Sequence, residues 1–157
     1  MIKTLVLDTT LLTLLIVGLT DRKYIVAHKR LSQFIEEDFD LLVATLERVE
    51  ALVVTPNTLT ETSNWLRQIR EPARAQIQGV FEEFIRQNRE IYISSAAAAG
   101  RTEFIQLGLA DSVTLEVAKS DIVVLSTDLN LCIAAEIAEY EAINFNHLRD
   151  REYSRDL

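Results

Sequence analysis

Apolar positions follow two rhythms that alternate along the chain. Short unbroken apolar runs read as buried strands, and longer stretches at helical spacing read as helices. "KTLVL" (residues 3–7) is the first predicted strand, and Thr9 to Gly18 reads as a helix with little polar face. From Ser32, a predicted N-cap, the pattern turns helical, and Leu41, Leu42, Thr45, Leu46 and Val49 share one face. "ALVVTP" (residues 51–56) predicts a second strand ending at Pro56. A helix is expected from Thr58, with Glu61 at capping-box spacing, and another after Pro72 to about Asn88. "EIYIS" (residues 90–94) predicts a short strand, followed by a helix starting near Asp111. "DIVVLS" is the clearest strand, "TDLNLCIAAEIAEY" a helix and "EAINF" the last strand. The polar tail "NHLRDREYSRDL" is expected to fray.

Strands separated by helices of this length pair in parallel through crossovers. The predicted fold is therefore α/β: a three-layer α/β/α sandwich on a parallel sheet of about five strands. With 157 residues, the chain is expected to form one domain, residues 1–157. Apolar residues make up 48% and charged residues 25%, as in an ordinary globular protein. The first apolar stretch is too short and too interrupted for a membrane span or a signal peptide, so a location in the cytoplasm is expected. Cys132 is the only cysteine, which excludes an internal disulfide, and its apolar neighbours suggest a buried structural thiol.

The net charge of −8 argues against a protein that coats nucleic acid, but it suits a site where acids hold a divalent cation. Asp8 interrupts the apolar run "TLVLDTTLLTLL" at the carboxyl end of the first strand. Asp128 follows the strand "DIVVLS", while Asp111 and Glu61 lie in the first turns of helices. Sites in open parallel sheets form outside the carboxyl ends of the strands. The acids meet there if the first strand lies between the strands near residues 53 and 123. Mg²⁺ or Mn²⁺ would relieve the repulsion among such carboxylates and suits phosphodiester hydrolysis. Each acid also has a plainer reading: Asp8, Asp111 and Asp128 as N-caps, and Glu61 as the capping-box partner of Thr58.

"LVLDTTLL", "TLTETSNWL" and "LGLADSVTLEVAKSDIVVLSTDLNL" together resemble the PIN-domain ribonucleases in order, spacing and context. The resemblance spans nearly the whole chain and is most specific over residues 107–131. It implies the same sandwich fold and a Mg²⁺- or Mn²⁺-dependent endoribonuclease, with RNA as substrate. Many members are toxins, so an antitoxin protein is an implied partner. By position, Asp8, Glu61, Asp111 and Asp128 match the family's catalytic and metal-binding acids. Ser126 matches the hydroxyl residue two before the last acid, there to orient that carboxylate or a metal water, and Thr9 is a second hydroxyl beside the first acid. The chain departs from the family at Thr10, where an asparagine is frequent, and at Ser126, where threonine is common.

Two basic segments remain. "RKYIVAHKR" offers Lys23, Lys29 and Arg30 to RNA phosphates and Tyr24 for stacking, or else forms a solvated face. Arg67, Arg70 and Arg74 form a second candidate stripe after Trp65, or are solvated or paired with Glu71. His28 and His147 show no ligand spacing and read as structural or exposed. The apolar helix after Asp8 is either core or part of a homodimer face. A competing function is a PIN-fold module that binds RNA or a protein partner without cutting. An aspartate-nucleophile phosphatase or a receiver domain fits poorly, because "DTT" carries a single acid.

Overall fold

The computed structural model describes residues 2–156, so Met1 and Leu157 of the expected domain lie outside it. The strands are β1 (Ile2–Leu7), β2 (Val49–Val54), β3 (Arg89–Glu90), β4 (Val123–Ser126) and β5 (Ala142–Asn144). They form one wholly parallel sheet in the order β3-β2-β1-β4-β5. β1 therefore lies between β2 and β4, as the convergence of the acids requires. Its side chains alternate between two cores. Leu5 and Leu7 join Val54 and Leu125 on one face, whereas Val6 joins Val53 and Val124 on the other.

Helices cover both faces, completing the three-layer sandwich. The first face carries α1 (Thr9–Thr20), α2 (Lys23–Ala27), α3 (Glu36–Leu46), α4 (Pro56–Leu66), α5 (Ala73–Gln87) and the start of α10 (Phe145–Tyr153). The second face carries α8 (Leu109–Ala118) and α9 (Leu129–Ile137), and the short helices α6 (Ser95–Ala99) and α7 (Phe104–Leu107) pack against α8. α1 is core: Leu11, Leu12, Leu14, Ile16 and Val17 are buried, and Gly18 lies against the Phe39 ring of α3. A helix enclosed by neighbours needs no polar face, which explains its unbroken hydrophobicity. Among the described residues, no helix is long and apolar enough to cross a membrane.

Several boundaries differ from expectation for local reasons. α4 starts at Pro56, not Thr58: Thr55 is the N-cap, accepting the Thr58 amide at 3.2 Å, and proline suits the first helical position. Ser32 does not cap α3. It sits in a turn, and Asp38 instead reaches back to the Ile35 amide at 2.9 Å. Val49 is not on the α3 face, because the helix ends at Leu46 and Val49 opens β2. β3 is Arg89–Glu90 and so takes only Glu90 of "EIYIS", since β2 ends at Val54 and leaves no strand to pair with beyond it.

The tail does not fray. Residues 145–153 form α10, and the Arg149 guanidinium donates to both oxygens of fully buried Asp38, at 2.8 and 3.0 Å. The Tyr153 hydroxyl donates to the same carboxylate at 2.5 Å. Breaking such a pair from one side costs about 3–5 kcal/mol, which is enough to hold a polar helix down.

Candidate active site

Asp8 follows β1, and its amide still donates to the Leu125 carbonyl of β4 at 3.2 Å. The residue is 8% exposed, but its carboxylate is well satisfied. Oδ1 accepts the Leu11 amide at 2.8 Å, capping α1, and Oδ2 accepts the Thr127 amide at 3.1 Å and the Ser126 hydroxyl. Burial pushes the Asp8 pKa up, the hydrogen bonds from Ser126, Leu11 and Thr127 oppose the rise, and the Asp128 charge adds to it.

Ser126 serves a different acid from the one expected. Its hydroxyl donates to Asp8, and its oxygen accepts the Asp128 amide at 2.9 Å. The hydroxyl thus ties the ends of two neighbouring strands together, aiming the first acid and the loop that carries the last. Asp128 is exposed and caps α9, its Oδ1 accepting the amides of Asn130 and Leu131 at 2.8 and 3.3 Å. Cap and site residue are compatible here, because Oδ2 has no protein partner among the described residues.

The plainer readings of Glu61 and Asp111 do not hold. Glu61 lies beyond the first turn of α4, where Thr55 caps, and its Oε1 accepts the Thr9 hydroxyl at 3.2 Å. Thr9 thus joins the first acid's helix to the second acid. Asp111 is not an N-cap: Gly108, with φ of +83°, precedes α8, and Asp111 is the third helical residue. Its carboxylate has no hydrogen-bond partner among the described residues. Burial is the largest cause raising its pKa, followed by the charges of Asp128, Asp8 and Glu61, and together they bring it to about 7. Acids from four different elements therefore stand close enough at one sheet edge to repel each other through Asp111.

The chain has no matching family model, curated protein or solved structure. What the site can do is thus argued from its own geometry.

A depression of about 400 Å³ adjoins the acids between the N-terminal turns of α4 and α8, lined by Pro56, Asn57, Thr60, Glu61, Leu109 and Ala110. Helix N-termini present free amides and positive dipole ends, which suit a phosphate. The donor set is all hard oxygen, as Mg²⁺ and Mn²⁺ prefer. Among the described residues, no three His, Cys, Asp or Glu side chains are gathered into a ready-made metal cage.

Two supporting residues were not recognised in the sequence. Asn146 Nδ2 donates to the Thr127 carbonyl at 3.3 Å, and Arg149 donates to Asn146 Oδ1 at 3.1 Å. The α10 anchor thereby reaches the loop whose amide holds Asp8. No motif could have announced this, because both residues lie in the segment read as fraying. Cys132 is buried under the site and its thiol pKa is pushed up to about 11, by burial first and then by the Asp8 and Asp128 charges. It is an inert packing residue. His28 is buried, its Nδ1 accepting the Arg30 amide at 3.1 Å, and His147 is exposed. Tyr24 is half-buried and its hydroxyl donates to Gln76 at 2.5 Å, whereas Lys23 is exposed.

Proposed function

We propose that the chain is a metal-dependent endoribonuclease of the PIN type that hydrolyses RNA phosphodiester bonds in the cytoplasm. The observation that carries this reading is the convergence of Asp8, Glu61, Asp111 and Asp128, from four elements, where burial first and then the charges of the other three acids bring Asp111 to about 7. Keeping four acids together without a nearby countercharge is costly in the free protein, and a cation offsets that cost. Asp8, Asp111 and Asp128 would hold Mg²⁺ or Mn²⁺, with Glu61 assisting. When bound, the cation supplies Lewis acidity toward the phosphodiester and lowers the pKa of water.

The chain's own residues set the geometry. Ser126, Thr127 and Leu11 fix both Asp8 oxygens, so the first carboxylate is oriented before any ligand arrives. The α9 cap fixes one Asp128 oxygen and leaves the other for a ligand. Asp111 has no hydrogen-bond partner among the described residues, which leaves its carboxylate available to a ligand. The helix N-termini beside Glu61 and Ala110 would receive a phosphate of the RNA. In the toxin form of this reading the partners are an antitoxin protein and a second copy of the chain.

The test is cleavage of a fluorophore-quenched single-stranded RNA in Mn²⁺, Mg²⁺ or EDTA. Wild type should cut only with metal. Asp8→Asn and Asp128→Asn should each lose at least about 100-fold in rate while remaining folded. Full activity in both variants would refute the assignment. A second reading is a PIN-fold module that binds RNA or a partner without cutting. Thermal melting separates the two. An active site should gain about 2.7 kcal/mol in Mn²⁺ at 100 times its dissociation constant and lose that gain in Asp8→Asn. A silent module should gain nothing.

A further inference from the structure

Folding brings the two basic segments of the sequence to one place. Lys29 and Arg30, Arg67 and Arg70, and Arg74 surround a depression of about 480 Å³ whose other lining residues are Gln68 and Ile69. No acid lines it, in a chain of net charge −8. Among the described residues, none of these cations lies within 4.0 Å of a carboxylate. Several cations elsewhere are paired: Arg22 with Glu36 and Asp40, Arg101 with Glu103 and Glu116, Arg149 with Asp38. Glu71, the nearest acid in sequence, is engaged with the Ala75 amide at 3.0 Å.

The patch is also held in shape. The Arg30 guanidinium stacks 4.9 Å from the centroid of half-buried Trp65, and its Nε donates to Gln68 at 2.9 Å. Arg74 Nε donates to the Ile69 carbonyl at 2.9 Å. His28 caps the turn that carries Lys29 and Arg30. Like-charged groups gathered around one hollow, with Arg30 and Arg74 held in place, cost the free protein energy that a polyanion returns. The hollow lies along α4 from the acids: Arg67 is six residues past Glu61, about 9 Å of helix rise.

We infer that Lys29, Arg30, Arg67, Arg70 and Arg74 form a docking site for the phosphate backbone of single-stranded RNA, distinct from the acidic edge that would cut it. Naming RNA as the polyanion rests on the ribonuclease reading. The site acts through charge and position, and so contributes to binding and not to the chemical step. Tyr24, whose hydroxyl donates to Gln76, does not line this hollow.

The experiment uses the full chain and a fluorescein-labelled 12-nucleotide single-stranded RNA, in EDTA so that nothing is cut. Fluorescence anisotropy across a salt series compares wild type with Arg67→Gln/Arg70→Gln and with Arg86→Gln, a cation paired with Glu82 at the far end of α5 from Arg74. Each phosphate contact to a single strand contributes about 0.7 to the slope of log affinity against log salt. Losing two should flatten the slope by about 1.4 and weaken binding roughly 25-fold near 0.1 M salt. In Mn²⁺, KM should rise with kcat little changed. Melting temperatures confirm that these exposed substitutions leave the fold intact. Unchanged affinity and slope in the double variant, or an equal loss in Arg86→Gln, would overturn the site. So would a wild type that binds no RNA. The two readings fail separately: wild type that cuts RNA while the double variant keeps its affinity sinks only the docking site. RNA binding that depends on the arginines, with no cleavage in any metal, sinks only the nuclease.

Discussion

Neutralising Asp111 should stabilise the metal-free protein, and only toward neutral and alkaline pH. Its folded pKa of about 7 stands well above the usual 3.8, so the folded state binds the extra proton between those values. Stability then falls as pH rises through that window, levels off above about 8 and is unaffected below about 3. At about 1.4 kcal/mol per pH unit between the two pKa values, the full cost at pH 8 is about 4 kcal/mol. The side chain is only partly enclosed, and solvent screening leaves about half of this, or ~2 kcal/mol. Asp111→Asn removes the charge and keeps the shape. Any packing change it introduces is the same at every pH and cancels in the comparison. Urea unfolding in EDTA should show the variant about 2 kcal/mol more stable than wild type at pH 8, relative to their difference at pH 4. Thermal melts at pH 8 should show a gain of roughly 4–8 °C over the same baseline. A difference that does not change between pH 4 and 8, or grows toward acid, would refute the claim that burial and the neighbouring acids hold the Asp111 pKa up.

Ser126→Ala should cost about 1–3 kcal/mol, since it leaves both Asp8 and the Asp128 amide a partner short, and should weaken Mn²⁺ binding. Ser126→Thr should restore both properties in urea melts and metal titrations. Asp38→Ala should destabilise by about 3–5 kcal/mol by stranding Arg149, and Asp38→Ala/Arg149→Met should recover much of that loss in the same unfolding assay. Gly18→Ala should cost about 1–3 kcal/mol, read from the urea midpoint, because the added Cβ would fall 2.1 Å from the Phe39 ring.

Local pattern carried far for this chain. The apolar runs marked β1 and β4 most clearly, because a strand buried on both faces has no polar positions to interrupt it, whereas β3 is only the charged pair Arg89–Glu90 at the start of its predicted run. The acids were legible by type and by place, each lying near the start of a helix that follows a strand or loop. Asp8 stood out because a carboxylate is costly in an apolar run unless its surroundings satisfy it. Helix starts were less legible where a side chain three residues away did the capping, as with Thr55 and Asp38.

What only the tertiary structure decided is who meets whom. Strand order put β1 between β2 and β4, and that alone brings Asp8 beside Ser126, 118 positions away. Asp38 and Arg149, 111 positions apart, looked like ordinary surface charges until folding paired them and anchored a tail that reads as loose. The same holds for the two basic segments, each a candidate by itself, which only folding joins around one hollow. Periodicity and propensity report what a residue does within its own helix or strand, where neighbours are set by the backbone. A hydrogen bond or ion pair between distant segments depends on how the layers stack, which no local spacing encodes.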